Sequence, residues 1–285
     1  MDQRLADVLS VLELEALEVN LFRGESRDIG SPQVYGGQVL GQALKAAYAT
    51  VEADRGAHSL HAYFLRRGDF NAPIVYHVDR SRDGHSFTSR RVTAIQHGEQ
   101  IFNLSASFQV AQPGLEHQLP APPAPPPEAL GDGDLFGPGM AERLTPRLKQ
   151  YFLHDRPFEF RAVPPRAPGL PERMLWLRAV DRLGDDDTLH RCLLAYISDF
   201  QLLSTALLPH EAEFAGQRLV IASIDHVMWF HHALRVDDWL LYVTDSPSAS
   251  GARGFARGSF FDRNGRLVAS TAQEGLMRVL PPAAG

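Results

Sequence analysis

A stretch dense in proline and glycine, PGLEHQLPAPPAPPPEALGDGDLFGPG from Pro113 to Gly139, splits the chain into two parts that read alike from start to end. Neither a helix nor a central strand can run through it, because proline removes backbone donors and fixes φ. It is therefore a linker, and each flank is expected to be one copy of a repeated unit. In the first copy YGGQVLGQALKAAYATV (Tyr35 to Val51) places Val39, Leu40, Ala43, Leu44 and Ala47 at helical spacing, and LHRCLLAYISDFQLLSTALL (Leu189 to Leu208) has the same character in the second. Each helix is followed by extended segments ending in a long strand pair. One runs from Ser86 to Val110 and turns at His97-Gly98; the other runs from Gly251 to Val279 and turns at Asn264-Gly265, a strong hairpin signal. Ahead of these pairs HSLHAYFL (His58 to Leu65) matches ASIDHVMWF (Ala222 to Phe230), with Ser59 set beside Ser223.

A long apolar-striped helix followed by an antiparallel meander is best stabilised when the sheet wraps the helix. The expected architecture is thus α+β, a double hotdog: an N-terminal unit over residues 1–112, the linker over 113–150 and a C-terminal unit over 151–285. Along the strand from Gly251 to Phe260, Ala252, Gly254, Ala256 and Gly258 should share one face and Arg253 and Arg257 the other.

Composition narrows the function. A formal charge of -6 over 285 residues, with no basic run, argues against a nucleic-acid partner. No stretch reaches the ~18 to 20 apolar residues of a membrane span. The N-terminus is acidic and amphipathic rather than signal-like, and the single cysteine, Cys192, excludes an internal disulfide and suits a reducing compartment. A cytoplasmic protein is expected.

Ala222 to His232, ASIDHVMWFHH, concentrates polar side chains, but not in a metal-binding pattern. Asp225 and His226 point to opposite faces of a strand, His231 and His232 are adjacent, and neither HExxH nor paired cysteines occur. No metal is expected. No GxSxG elbow is present either; GHSFT at Gly84 to Thr88 lacks the closing glycine and lies in a strand pair. What stands out is asymmetry between the copies. Asp199 sits inside the apolar string YISDFQLL, whereas Gln33 to Tyr48 holds no acid. A carboxylate on a buried helix is costly unless it is hydrogen-bonded or used. Taken singly, Asp199, Ser223 and Gln273 each also admit a structural reading.

These residues stand in longer strings: YGGQVLGQAL, RDGHSFTSRRV, ASFQ, SIDHVMWFH, WLLYVTDSPSASGARGFARGSFFDRNGRLVAS and TAQEGLMR. Together they resemble the acyl-CoA thioesterase II family over nearly the whole chain outside the linker. The resemblance implies two hotdog units that hydrolyse fatty acyl-CoA to free acid and CoA without cofactor. It also implies three catalytic positions, an aspartate on the second helix, a hydroxyl before the "DH" pair and a glutamine in the last strand, matched here by Asp199, Ser223 and Gln273. Many bacterial members have threonine at the Ser223 position. The histidines nearby are then architectural.

An aspartate can take a proton from water while a hydroxyl and an amide hold that water, and a thiolate leaves readily. Backbone donors near a helix start, around Gly36 and Gly37, are candidates for the developing oxyanion, and Arg90, Arg91, Arg253 and Arg257 for the CoA phosphates, with surface or structural pairing as the alternative. Two other functions stay open: a hotdog hydratase or dehydratase, and a non-catalytic acyl-CoA binding protein. Edge strands of such units commonly continue into a partner's sheet, so a homodimer or higher homo-oligomer is expected.

Overall fold

The computed structural model describes all residues except 132–134, 136–143, 215–216 and 281–285. Thirteen strands among the described residues join, all through antiparallel pairs, into one sheet. The N-terminal half contributes α1 (Gln3–Leu12), β1 (Glu15–Glu18), β2 (Leu21–Gly24), α2 (Gly36–Tyr48), β3 (Arg55–Phe64), β4 (Ile74–Asp83), β5 (Phe87–Gln96) and β6 (Glu99–Val110). From the end of the linker onward come α3 (Pro146–Gln150), which closes it, then β7 (Phe158–Ala162), β8 (Glu172–Ala179), α4 (Asp187–Ser198), β9 (Arg218–Ser223), β10 (Asp225–Phe230), β11 (Leu240–Ser250), β12 (Arg253–Phe261) and β13 (Leu267–Leu280). The strand order is β1-β2-β4-β5-β6-β3-β10-β13-β12-β11-β8-β7, with β9 paired to β13. The halves therefore meet at the β3–β10 seam, where His61 faces Val227 and Leu60 faces Met228.

The sheet wraps two central helices, as the pattern of apolar residues requires. Leu40, Ala43, Leu44 and Ala47 of α2 and Cys192, Leu193, Leu194 and Ala195 of α4 are buried in one core with the inward residues of the strands. The helices run antiparallel: Gly37 abuts the Tyr196 carbonyl and Gly41 the Cys192 carbonyl. A Cβ on Gly37 would overlap that oxygen, and one on Gly41 would lie 3.1 Å from the Cys192 oxygen and 2.9 Å from a Leu12 methyl. Glycine weakens a helix by ~1 kcal/mol against alanine, so its presence here reflects the close crossing. Asp187–His210 is the only described stretch long and apolar enough to cross a membrane, and it is mostly buried here as the central helix and the turns that follow.

The turns depart from the expected form in places. His97 and Gly98 both have positive φ and make the tight β5–β6 hairpin. At Asn264-Gly265 the loop is wider, because the Asp262 carboxylate accepts from the Asn264 and Arg266 N–H groups and closes a turn between β12 and β13. Ala252 lies with Gly251 in a left-handed turn and is not part of β12, which begins at Arg253. Gly254, Ala256 and Gly258 are buried and Arg253 and Arg257 exposed, as alternation demands.

The linker is laid along the outer face of the C-terminal half. Pro125 carbonyl accepts from Trp176 Nε1 at 2.8 Å, the Gln118 amide bonds Gly265 and Leu267, and Ala121 and Ala124 cover Trp176, Trp239 and Phe261.

Candidate active site

The long apolar helix expected to continue to Leu208 stops at Ser198, with Asp199 as its C-cap. Gln201 takes φ 61, and short 3-10 turns follow over Leu203–His210. This break turns the Asp199 carboxylate away from the helix and towards the N-terminus of α2. There Gly37 N–H donates to Asp199 Oδ2 at 3.1 Å, and a Cβ on Gly36 would lie 2.7 Å from the same oxygen. Two glycines thus let the carboxylate approach the positive end of α2.

From the sheet side, Gln273 of β13 is fully buried and its Nε2 donates to both Asp199 Oδ1 (2.8 Å) and Ser223 Oγ (3.0 Å). Ser223, the last residue of β9, is paired with Gly275, two residues along β13 from Gln273. The three side chains singled out in the sequence are therefore in one hydrogen-bonded cluster. Only one amide orientation is compatible with it, since the carboxylate needs a donor. That leaves Gln273 Oε1 as a buried acceptor with no partner among the described residues. Burial pushes the Asp199 carboxyl above its ordinary range, opposed in part by the hydrogen bonds from Gln273, Gly37 and Ser223.

Asp199 and Ser223 line a cavity of about 470 Å³. Its walls are largely apolar, with Val39, Phe64 and Phe102 from the N-terminal half and Phe152, Phe200 and Leu203 from the C-terminal half. Gly36 is part of this wall, whereas Gly37 is not, and its N–H is already committed to Asp199. Of the two glycines expected near an oxyanion, only Gly36 faces the cavity.

The arginine expectations need correction. Arg90 is buried, and its guanidinium is consumed by Thr50, the carbonyls of Arg82 and Ser89, and Asp83, so it cannot meet a substrate phosphate. Arg253 pairs with Glu274 at 2.9 Å and Arg257 with Asp245 at 2.7 Å on the exposed face of β12, opposite the buried face. Arg91 is exposed on β5, facing Asp79 across the ladder as Arg257 faces Asp245. None of the four lines the cavity; Arg66 and Arg67 do. Their signal in the sequence is an adjacent basic pair, FLRRGDF, directly after the strand from His58.

No histidine of the Ala222–His232 stretch lines the cavity. His226 is fully buried, with Nε2 2.9 Å from Ser198 Oγ and 3.1 Å from Thr271 Oγ1. Both hydroxyls donate to backbone carbonyls, of Ala195 and Val227, so they accept from a protonated Nε2. Burial drives the His226 pKa down to about 3, and the ring stays neutral. His231 bonds Ser270. No group of histidines, cysteines or acids among the described residues could hold a metal. Cys192 is buried, with its thiol pushed up to about 12, and is unreactive.

Two helices, each wrapped by its own run of strands within a shared sheet, define a double hotdog protein. Residues 23–109 match the acyl-CoA thioesterase N-terminal domain and residues 148–276 the acyl-CoA thioesterase family profile. The chain is 42% identical to human acyl-coenzyme A thioesterase 8, covering 98% of this chain and 91% of that one. It is 41% identical to acyl-CoA thioesterase 2 of Haemophilus influenzae, over 98% and 99% of the two chains. The crystal structure of an acyl-CoA thioesterase II from Mycobacterium marinum matches with a TM-score of 0.81 at 42% identity, over 97% and 99% of the chains. The chain belongs to the acyl-CoA thioesterase II family, and it is a thioester hydrolase.

Proposed function

We propose that this hydrolase cleaves fatty acyl-CoA by direct attack of a water molecule that Asp199 deprotonates. The observation that carries the reading is the single Gln273 amide bridging Asp199 and Ser223 while its Oε1 stays unpartnered. The Asp199 carboxylate and the Oε1 of the amide bonded to it are two acceptors, a number that matches the two protons of one water. Holding both leaves the water's lone pair for the thioester carbon. Ser223 Oγ already accepts from Gln273, so its own proton is free to steady the water or the carboxylate. Proton transfer to Asp199 accompanies C–O bond formation; collapse of the tetrahedral intermediate expels the CoA thiolate, a far better leaving group than an alkoxide because a thiol is a much stronger acid than an alcohol. The raised pKa of Asp199 brings its basicity closer to what the step demands. The Gly36 edge of the α2 N-terminus is placed to favour negative charge on the carbonyl oxygen.

The apolar walls suit an acyl chain. A thiol-release assay across an acyl-CoA length series is the test: steady release of CoA thiol with equimolar free acid is expected. Gain or loss of enoyl absorbance without thiol release would move the chain to the hydratase class, and tight binding without turnover to the binding-protein class. The proposal also includes a homodimer or higher homo-oligomer, supported by the sheet-edge strands β1 and β7, and a cytoplasmic site of action, supported by the single buried thiol.

A further inference from the structure

The loop leaving β3 forms one side of the cavity with Leu65, Arg66, Arg67 and Gly68. Its backbone is held at several points. Leu65 N and Arg66 N donate to the Ile101 carbonyl at 2.8 and 3.1 Å, and the Gly68 carbonyl accepts from Val34 N at 3.0 Å. The Gln96 side chain then clamps Asp69, accepting from its N–H and donating to its carbonyl, both at 2.8 Å. A Cβ on Gly68 would come within 3.0 Å of Val34 Cβ, so the loop is seated directly on the segment leading into α2.

The two arginines on this fixed loop are in different electrostatic states. Arg66 is neutralised: Nη2 pairs with Glu99 at 2.7 Å and Nη1 donates to the Gln100 carbonyl at 2.7 Å. Arg67 is exposed and has no ion-pair or hydrogen-bond partner among the described residues. The described lining contains no other lysine or arginine, and its one acid is Asp199. In a chain of net charge -6, an uncompensated guanidinium beside the catalytic cavity is a local reversal of sign.

We infer that Arg67 binds a phosphate group of the CoA moiety and fixes the side from which the substrate enters. The inference rests on the thioesterase reading. It follows from the chemistry of the substrate: the thioester must reach Asp199, the pantetheine arm behind it is uncharged, and the phosphates lie at the far end, near the surface. Arginine offers a planar set of donors that suits phosphate, and here none of them is spent on a protein acid.

The experiment compares two substrates carrying the same acyl group, one on CoA and one on pantetheine, which lacks every phosphate. Arg67→Ala should raise KM for the acyl-CoA about tenfold with kcat nearly unchanged. Arg67→Glu should raise it further, and Arg67→Lys should recover part of the loss. KM for the acyl-pantetheine should not move in any variant. Raising salt should weaken acyl-CoA binding to the wild type more than to Arg67→Ala. Equal KM changes for both substrates, or none for either, would overturn the role of Arg67 and leave the thioesterase reading standing. No thiol release from either substrate by the wild type would instead remove the reading on which the inference rests.

Discussion

The two halves present the same corner twice, and among the described residues only the C-terminal one holds the hydrogen-bonded Asp199–Gln273–Ser223 cluster. In the C-terminal half α4 ends at Asp199, which meets Ser223 and Gln273. In the N-terminal half α2 ends at Tyr48 and Ala49. The ladder slips fix what stands opposite what. The β3–β6 ladder slips between Ala57, paired with Phe108, and Ser59, paired with Ser107; the matching slip lies between Ser223, paired with Gly275, and Val227, paired with Ala272. Matching slip to slip puts Ser223 on Ala57 and Gln273 on Ala106. The silent corner, in the N-terminal half, thus carries alanines at the positions matched to Ser223 and Gln273, and it is also plugged. The Tyr48 hydroxyl accepts from Ala57 N–H at 2.8 Å, and Arg191 of α4 donates to the Ala57 carbonyl at 2.8 Å, where the active corner has the open approach past Gly36. On the proposed mechanism the repeated fold divides its labour: one corner does chemistry, the other closes the core, and α2 supplies the helix start that faces the Asp199 carboxylate.

The largest effect that would separate the corners is on turnover. Asp199→Asn should lower kcat by about 10² to 10⁴, the usual scale for losing a general base, with KM little changed. Wild-type rates in this variant would remove the carboxylate from the mechanism. Next in size, Ser223→Ala should lose about tenfold in kcat/KM, the worth of one hydrogen bond, whereas Ser223→Thr should retain most of the activity. Alanine performing as well as threonine would make the hydroxyl a bystander.

Stability tests the corners from the other side. Gly37→Ala should cost about 1 to 3 kcal/mol by overpacking against the Tyr196 carbonyl, read as a fall in the denaturant midpoint. The pH dependence has a definite sign. Burial raises the Asp199 carboxyl above its ordinary value of 3.8, so the folded protein binds this proton more tightly than the unfolded chain. Its contribution to stability is present below the unfolded value and is lost as pH rises through the folded one. The stability of the wild type relative to Asp199→Asn should therefore fall as pH rises above the ordinary carboxyl value of 3.8; a difference that stayed flat would mean that burial does not hold the carboxyl up. The smallest change belongs to the silent corner: Tyr48→Phe leaves Ala57 N–H without its acceptor, costs about 0.5 to 1.5 kcal/mol and should spare kcat.

Much of this was legible because it depended on local pattern. Period-two alternation separated Gly254, Ala256 and Gly258 from Arg253 and Arg257, and the acid in YISDF marked the one helix end that differs from its copy. Register was not legible. Setting Ser59 beside Ser223 is two residues away from Ala57, the position that slip matching gives, because string similarity does not see where a bulge lies, and a slip leaves no mark on the apolar pattern. The arginines failed for a related reason. Arg90 and Arg67 are equally basic in sequence, and only tertiary neighbours separate them: Thr50 and Asp83 bind the Arg90 guanidinium, whereas Arg67 has no hydrogen-bond or ion-pair partner among the described residues and lines the cavity.

The central claim is that Asp199 acts as a base on water at the one active corner, not as a nucleophile. The most direct test is a single turnover with enzyme in excess over acyl-CoA in ¹⁸O-labelled water. Direct attack places solvent oxygen in the acid product of that first turnover and leaves Asp199 unlabelled. An unlabelled acid product with the label retained on Asp199 would show instead that the carboxylate attacks and a mixed anhydride forms, contradicting the account.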